Sequence, residues 1–200
     1  MLTAAAVAHG LRAMESVGLV DLSSLARFGL KGPGAESALK LLGVALPAEP
    51  NRWVALDGGG LVARLGRSEF LLEDGIGGGS VHRVRESLAD GAPGVYPMPR
   101  QDLALALVGS QVQALWDQTC SFDLREFALT PGLVVMTTMI GVSVTVVQAE
   151  CGGRAGFRIW CDGTFGSYFF ETLLEIAREL QGGAAGICDL IPEAQSLVAG

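Results

Sequence analysis

The chain has 200 residues, enough for one large domain or two small ones with a buried interior. Half of the residues are apolar and 18% are charged, below the roughly 25% usual for soluble domains, and the net charge is −7. That balance disfavours nucleic-acid binding through a basic surface, and basic residues so scattered (only Arg83 and Arg85 are closely paired) disfavour an anionic membrane.

Residues 1–14 do not read as a signal peptide. The apolar stretch 4–8 is short, no basic segment precedes it, and His9 and Arg12 interrupt the residues after it. Residues 1–16 read as an N-terminal arm. Gly18-Leu-Val-Asp-Leu-Ser then reads as a short strand, and residues 26–31 as a second, closed by Gly32-Pro33-Gly34. Ala35, Ala38, Leu39 and Leu42 recur at helical spacing, with Gly43 as the stop. Strands are expected at 53–56 and 61–65 around Gly58-Gly59-Gly60, and at 69–72. A helix capped by Ser80 comes next and runs to Leu88. Residues 91–100, which contain Pro and Gly, read as a linker.

From residue 101 the order repeats. A strand at 102–108 ends at Gly109-Ser110, and a helix runs from 111 to 119. Further strands are expected at 133–136, 142–149 and 156–161, then a closing helix at 166–180. The longest uncharged run, 127–149, contains Pro131 and Gly141, and ten of the fifteen residues from 133 to 147 are β-branched. It therefore reads as paired buried strands rather than a lipid-facing helix. Residues 183–200 read as an extended tail. A shift of 77 residues lays Phe28-Gly-Leu-Lys-Gly-Pro over Leu105-Ala-Leu-Val-Gly-Ser. The expected fold is α+β, with two diverged β-α-β-β-α repeats at 17–90 and 101–182 in a pseudo-twofold relation.

No catalytic, cofactor-binding or metal-ligating residue emerges from the pattern. Cys120, Cys151, Cys161 and Cys188 stand 31, 10 and 27 residues apart, without a CxxC pair, and read as reduced, mostly buried thiols. His9 and His82 are the only imidazoles, and His82 beside Arg83 and Arg85 reads as solvated. Gly75-Ile-Gly-Gly-Gly-Ser80 has Ser80 where a dinucleotide-binding turn needs its third glycine, and reads as a flexible loop. Gly141-Val-Ser-Val-Thr lacks the last glycine of a nucleophile elbow. The carboxylates of Glu73-Asp74 and of Glu171 and Glu175 read as solvent-facing neighbours. The last two form a like-charged i,i+4 pair, mildly unfavourable unless Arg178 offsets it. Trp53, Trp116 and Trp160 read as core. The apolar excess is explained either by a partner interface or by a Val/Leu-rich core.

Three runs carry a family resemblance: Val20-Asp-Leu-Ser, Arg27-Phe-Gly-Leu-Lys-Gly-Pro-Gly-Ala, and Arg64-Leu-Gly-Arg-Ser-Glu-Phe-Leu-Leu. In that order and spacing they resemble the folate-binding aminomethyltransferase fold of the glycine-cleavage T-protein, over residues 17–182. Gly153-Arg-Ala-Gly-Phe-Arg-Ile-Trp resembles the place where that enzyme carries Gly-Glu-Asp-Gly-Phe-Glu-Ile. Two departures stand out. Gly59-Gly-Leu-Val62 passes directly to Ala63-Arg64, where the enzyme has an acidic pair that includes its catalytic aspartate. Arg154, Ala155 and Arg158 replace the carboxylates that grip a pterin.

A short, carboxylate-poor version of this fold resembles the gamma subunit of heterotetrameric sarcosine oxidase. The resemblance implies a non-catalytic subunit acting in assembly and stability of a cytoplasmic complex. Its partners would be alpha, beta and delta subunits that hold FAD, FMN, NAD and tetrahydrofolate, and this chain would bind no cofactor itself. The complex would oxidatively demethylate sarcosine or another secondary amine. The alternative is a stand-alone folate-binding protein or folate-dependent enzyme, and the iron–sulfur-assembly branch of the fold is the weakest version of it. Ala149-Glu-Cys-Gly-Gly lacks the lysine of that branch's cysteine motif.

Overall fold

A computed structural model describes residues 4–191, with side chains from residue 8 onward. Its elements in chain order are α1 (Ala4–Ser16), β1 (Gly18–Asp21), β2 (Arg27–Lys31), α2 (Ala35–Leu41), β3 (Arg52–Leu56), β4 (Gly60–Gly66), β5 (Glu69–Glu73) and α3 (Ser80–Ser87). They continue with β6 (Tyr96–Met98), β7 (Asp102–Val108), α4 (Val112–Thr119), α5 (Arg125–Leu129), β8 (Val134–Met139), β9 (Val142–Cys151), β10 (Arg154–Asp162), α6 (Gly166–Glu179), β11 (Gly183–Ala185) and α7 (Ile187–Leu190). The fold is α+β with two sheets, one in each of two units.

One unit comprises residues 24–101 and 132–134. Its sheet has the order β3-β4-β5-β2-β6, antiparallel throughout. Phe28 pairs with Leu72, Leu72 with Val62, and Leu30 with Phe70, so alternate residues of three strands load one face. Ala35 and Leu39 of α2 and Val81, Val84 and Leu88 at α3 cover that face and complete the core.

Residues 91–100, read as a linker, contain the edge strand β6, which pairs with β2. Two glycines allow the approach. A Cβ on Gly29 would stand 2.9 Å from the Met98 Cβ, and one on Gly32 would stand 2.7 Å from the Tyr96 ring. A three-residue strand whose centre is Pro97 has no alternation to reveal it.

The second unit comprises the described residues 4–23, 102–131 and 135–191. Its sheet has the order β11-β1-β7-β10-β9-β8. β1 runs antiparallel to β7 and parallel to β11, with Gly18 opposite Val108 on one side and Gly183 on the other. The Trp116 ring of α4 packs 5.6 Å from Phe157 of β10, and Phe127 lies 5.3 Å from Phe157 and 5.6 Å from Phe122. Phe169, Leu173 and Ala177 form the inward face of α6 at spacings of four.

The expected N-terminal arm is a helix whose last turn buries Ala13 and Met14. The expected extended tail forms β11 and α7 up to residue 190, and residues 1–3 and 192–200 lie outside the described part. Both ends read as arms in the sequence because their small residues carry little periodic signal. α1 and α7 meet where Gly10 lies against the Asp189 carboxylate.

The two sheets share a connectivity. A strand leads through helix to a three-stranded meander and a second helix, and the first strand returns beside the last strand of the meander. β2 thus lies beside β5, and β7 beside β10. The uncharged run 127–149 supplies β8 and most of β9, and no helix among the described residues is long and apolar enough to cross a membrane.

Candidate functional site

The positions singled out by their departure from the enzyme pattern fall on β4 and β10. On β10, successive side chains alternate, so Arg154, Arg158 and Trp160 share one face of the sheet. Arg154 and Ala155 are exposed at the strand's start, whereas Arg158 and Trp160 are buried. Across the sheet Arg158 lines up with Val147 and Ala106, and Trp160 with Thr145 and Ala104. In the β9–β10 ladder the only carboxylate that β9 contributes is exposed Glu150, opposite Ala155. Beyond Thr145 lies an open groove of about 390 Å³, lined by Met136, Thr137, Thr138, Ser143, Val144 and Thr145. These hydroxyls can donate to or accept from a polar ligand, but the lining contains no titratable side chain for proton transfer.

Ile140 and Gly141, at the tip of the β8–β9 hairpin, both have positive φ, at 44° and 81°. This is the I′ pattern that matches strand twist, and it is unfavourable for a β-branched residue. Two bonds hold it: Ile140 N–H donates to the Thr119 carbonyl at 2.8 Å, and Tyr168 Oη donates to the Ile140 carbonyl at 3.1 Å.

Arg64, which comes directly where the enzyme pattern has its acidic pair, is a scaffold residue. Its Nη2 donates to Glu36 Oε2 at 2.8 Å and to the Arg67 carbonyl at 2.8 Å, and its Nη1 to the carbonyls of Pro47 and Ala48 at 3.2 and 3.0 Å. The guanidinium lies 5.3 Å from the centre of the Phe70 ring. The hydrogen bond from Lys40, opposed by desolvation and helped by the charge of Arg64, lowers the Glu36 carboxyl below its ordinary value.

Glu73 and Asp74, expected to face solvent, are buried. Glu73 accepts from Arg27 Nη1 at 3.1 Å across the β2–β5 pair, and both side chains lie inside. Asp74 Oδ1 accepts from the Ser80 N–H at 3.0 Å, and Oδ2 from the Val81 N–H at 3.1 Å. Asp74, rather than Ser80, therefore caps α3. The same carboxylate occupies the helix terminus at which a dinucleotide-binding turn would hold a phosphate, so the Gly75–Ser80 stretch is closed to that use.

His82 is exposed and 3.1 Å from Glu86 on the surface of α3. All four cysteines are free and buried. Burial first, then the charges of Asp102 and Asp162, push the Cys161 thiol from an ordinary 9.0 up to about 11, which keeps it protonated at neutral pH. Trp116 and Trp160 are core residues, and Trp53 is partly buried. Among the described residues, no three His, Cys, Asp or Glu side chains are grouped to hold a metal ion. Sequence reading missed the roles of Arg64, Glu73 and Asp74, because each depends on strand register rather than on a local motif.

No family model matches the chain, and no curated protein does. Solved structures do. The glycine cleavage system aminomethyltransferase T from Bartonella henselae matches with a TM-score of 0.66 and 17% identity, covering 92% of this chain but 52% of that one. This chain thus spans about half the length of that aminomethyltransferase. A chain of the heterotetrameric sarcosine oxidase from Corynebacterium sp. U-96, solved with pyrrole 2-carboxylate, matches with a TM-score of 0.70 and 22% identity. That match covers 90% of this chain and 93% of the other. The fold is therefore of the aminomethyltransferase type shared by these two proteins.

Proposed function

We propose that this chain is the non-catalytic gamma subunit of a heterotetrameric flavoenzyme of the sarcosine oxidase type, acting in assembly and stability of the complex. The observation that carries the reading is the mutual coverage, 90% of this chain and 93% of a chain of heterotetrameric sarcosine oxidase, against half of the aminomethyltransferase. The residues support it. Arg64 comes directly where the enzyme's acidic pair is missing and is held as a scaffold, and Arg154, Ala155 and Arg158 offer no carboxylate grip for a pterin. In this reading the alpha, beta and delta subunits hold FAD, FMN, NAD and tetrahydrofolate, and the complex demethylates sarcosine or a related secondary amine in the cytoplasm. The shared connectivity of the two sheets supports an origin by internal duplication, with the two repeats in a pseudo-twofold relation.

The test is affinity purification of the tagged full-length chain from its native host, followed by a flavin absorbance spectrum with and without sarcosine. Yellow co-purifying subunits whose flavin is bleached by a secondary amine are expected. A lone, colourless chain that binds tetrahydrofolate would overturn the reading in favour of a stand-alone folate-binding protein.

A further inference from the structure

Helix α6 buries Phe169, Leu173 and Ala177 and turns its opposite face to solvent. That outward face begins with Phe165, just before the helix, and continues through Tyr168, Glu171, Glu175 and Glu179, all exposed. Phe165 is 50% and Tyr168 53% accessible, large apolar surface for two neighbouring side chains on one helix end. The Tyr168 residue is fixed at both ends. Its hydroxyl donates to the Ile140 carbonyl at 3.1 Å, and its own carbonyl accepts from Thr172 Oγ1 at 2.7 Å. A rigid, half-exposed aromatic loses little freedom on being covered, which suits it to anchor an interface.

The charges on the same face have no explanation within the described residues. Glu171, Glu175 and Glu179 stand at i, i+4 and i+8, a column of like charges about 6 Å apart along the axis. Glu179 also lies in the last turn, where the helix dipole favours a cation. Arg178 is the one basic residue of the helix, and no ion pair to any of the three glutamates is present among the described residues. Elsewhere the chain has the favourable pattern: on α2, Glu36 pairs with Lys40 at 2.7 Å.

We propose that the outward face of α6 docks a protein partner presenting a Lys/Arg stripe, with an apolar pocket at one end for Phe165 and Tyr168. Charge complementarity selects that occupant: a basic surface turns a self-repelling column into a set of intermolecular pairs, whereas a second copy of this face would bring acid against acid. The inference rests on the accessory-subunit reading, and it names the surface and the chemistry through which such a subunit attaches.

The test compares tagged full-length wild type with the variant E171Q/E175Q/E179Q. Both are expressed in the native host and captured at low and high salt, with captured flavin as the readout and a thermal melt of each free chain as the control for folding. The wild type is expected to retain flavin-bearing subunits in a salt-sensitive manner, and the variant to lose on the order of tenfold of the low-salt capture. The variant should melt at the same temperature or higher, because the substitutions relieve repulsion; a structural role for the glutamates predicts the reverse. Equal capture by wild type and variant at both salt concentrations overturns the docking face and leaves the accessory reading standing. Capture of no flavin-bearing subunit by the wild type overturns the accessory reading, and this inference with it.

Discussion

Arg64 stands on β4 with its guanidinium against Phe70, and the backbone carbonyls of Pro47, Ala48 and Arg67 accept from it. Replacement by Met keeps the apolar stem but leaves those three acceptors short of a donor. The expected loss is about 3 kcal/mol by urea unfolding, and Arg64→Lys should recover little, since an ammonium cannot span the same fork. A loss below about 1 kcal/mol would mean that water replaces the guanidinium freely. The thiol of Cys161 makes a different prediction. Its folded value is raised, so its contribution is complete below the ordinary 9.0 and is lost as pH climbs through about 11. The wild type should therefore show a steeper fall in stability across that window than Cys161→Ala. Parallel alkaline limbs in the two proteins would remove Cys161 as a cause.

At the scale of elements, α3 depends on a carboxylate that lies outside it. Asp74 reaches the Ser80 and Val81 N–H groups from the end of β5, so the strand and the helix are joined by one side chain. Asp74→Ala should cost about 1–2 kcal/mol, whereas Ser80→Ala should stay within about 0.5 kcal/mol. Equal effects at the two positions, measured by thermal melting, would restore Ser80 as the cap. The elements that sequence reading locates well are those with strong periodicity. α6 has apolar residues at spacings of four, and β9 alternates buried and less buried positions from Val142 to Val146. What it misplaces depends on distant partners. Glu73 and Asp74 look like a surface turn until β2 brings Arg27, 46 residues earlier in the chain, opposite Glu73. α1, β11 and β6 carry small residues or Pro97, and tertiary contact rather than local propensity makes them regular.

For the molecule as a whole, composition leaves two explanations open for the apolar excess, and burial among the described residues accounts for much of it as core. Most of the valines are buried, and the strands β7 and β10 are buried on both faces over most of their length. At the same time Leu41, Leu129 and Met136 remain largely exposed, along with the two aromatics of α6. The likeness to the two solved structures, at 17–22% identity, is legible in the sequence only through the order and spacing of short runs.

The discontinuity of one unit also orders events in time. β1 leaves the ribosome before both of its neighbours, β7, which begins at Asp102, and β11, which begins at Gly183. Residues 24–101 can close their sheet around their own core while Leu19 and Val20 still lack a partner. At roughly 5–20 residues per second, β1 waits on the order of ten seconds or more for β11. Folding thus proceeds from the middle outward: the inserted segment closes first, and the unit that encloses it in sequence is sealed only once β11 has emerged.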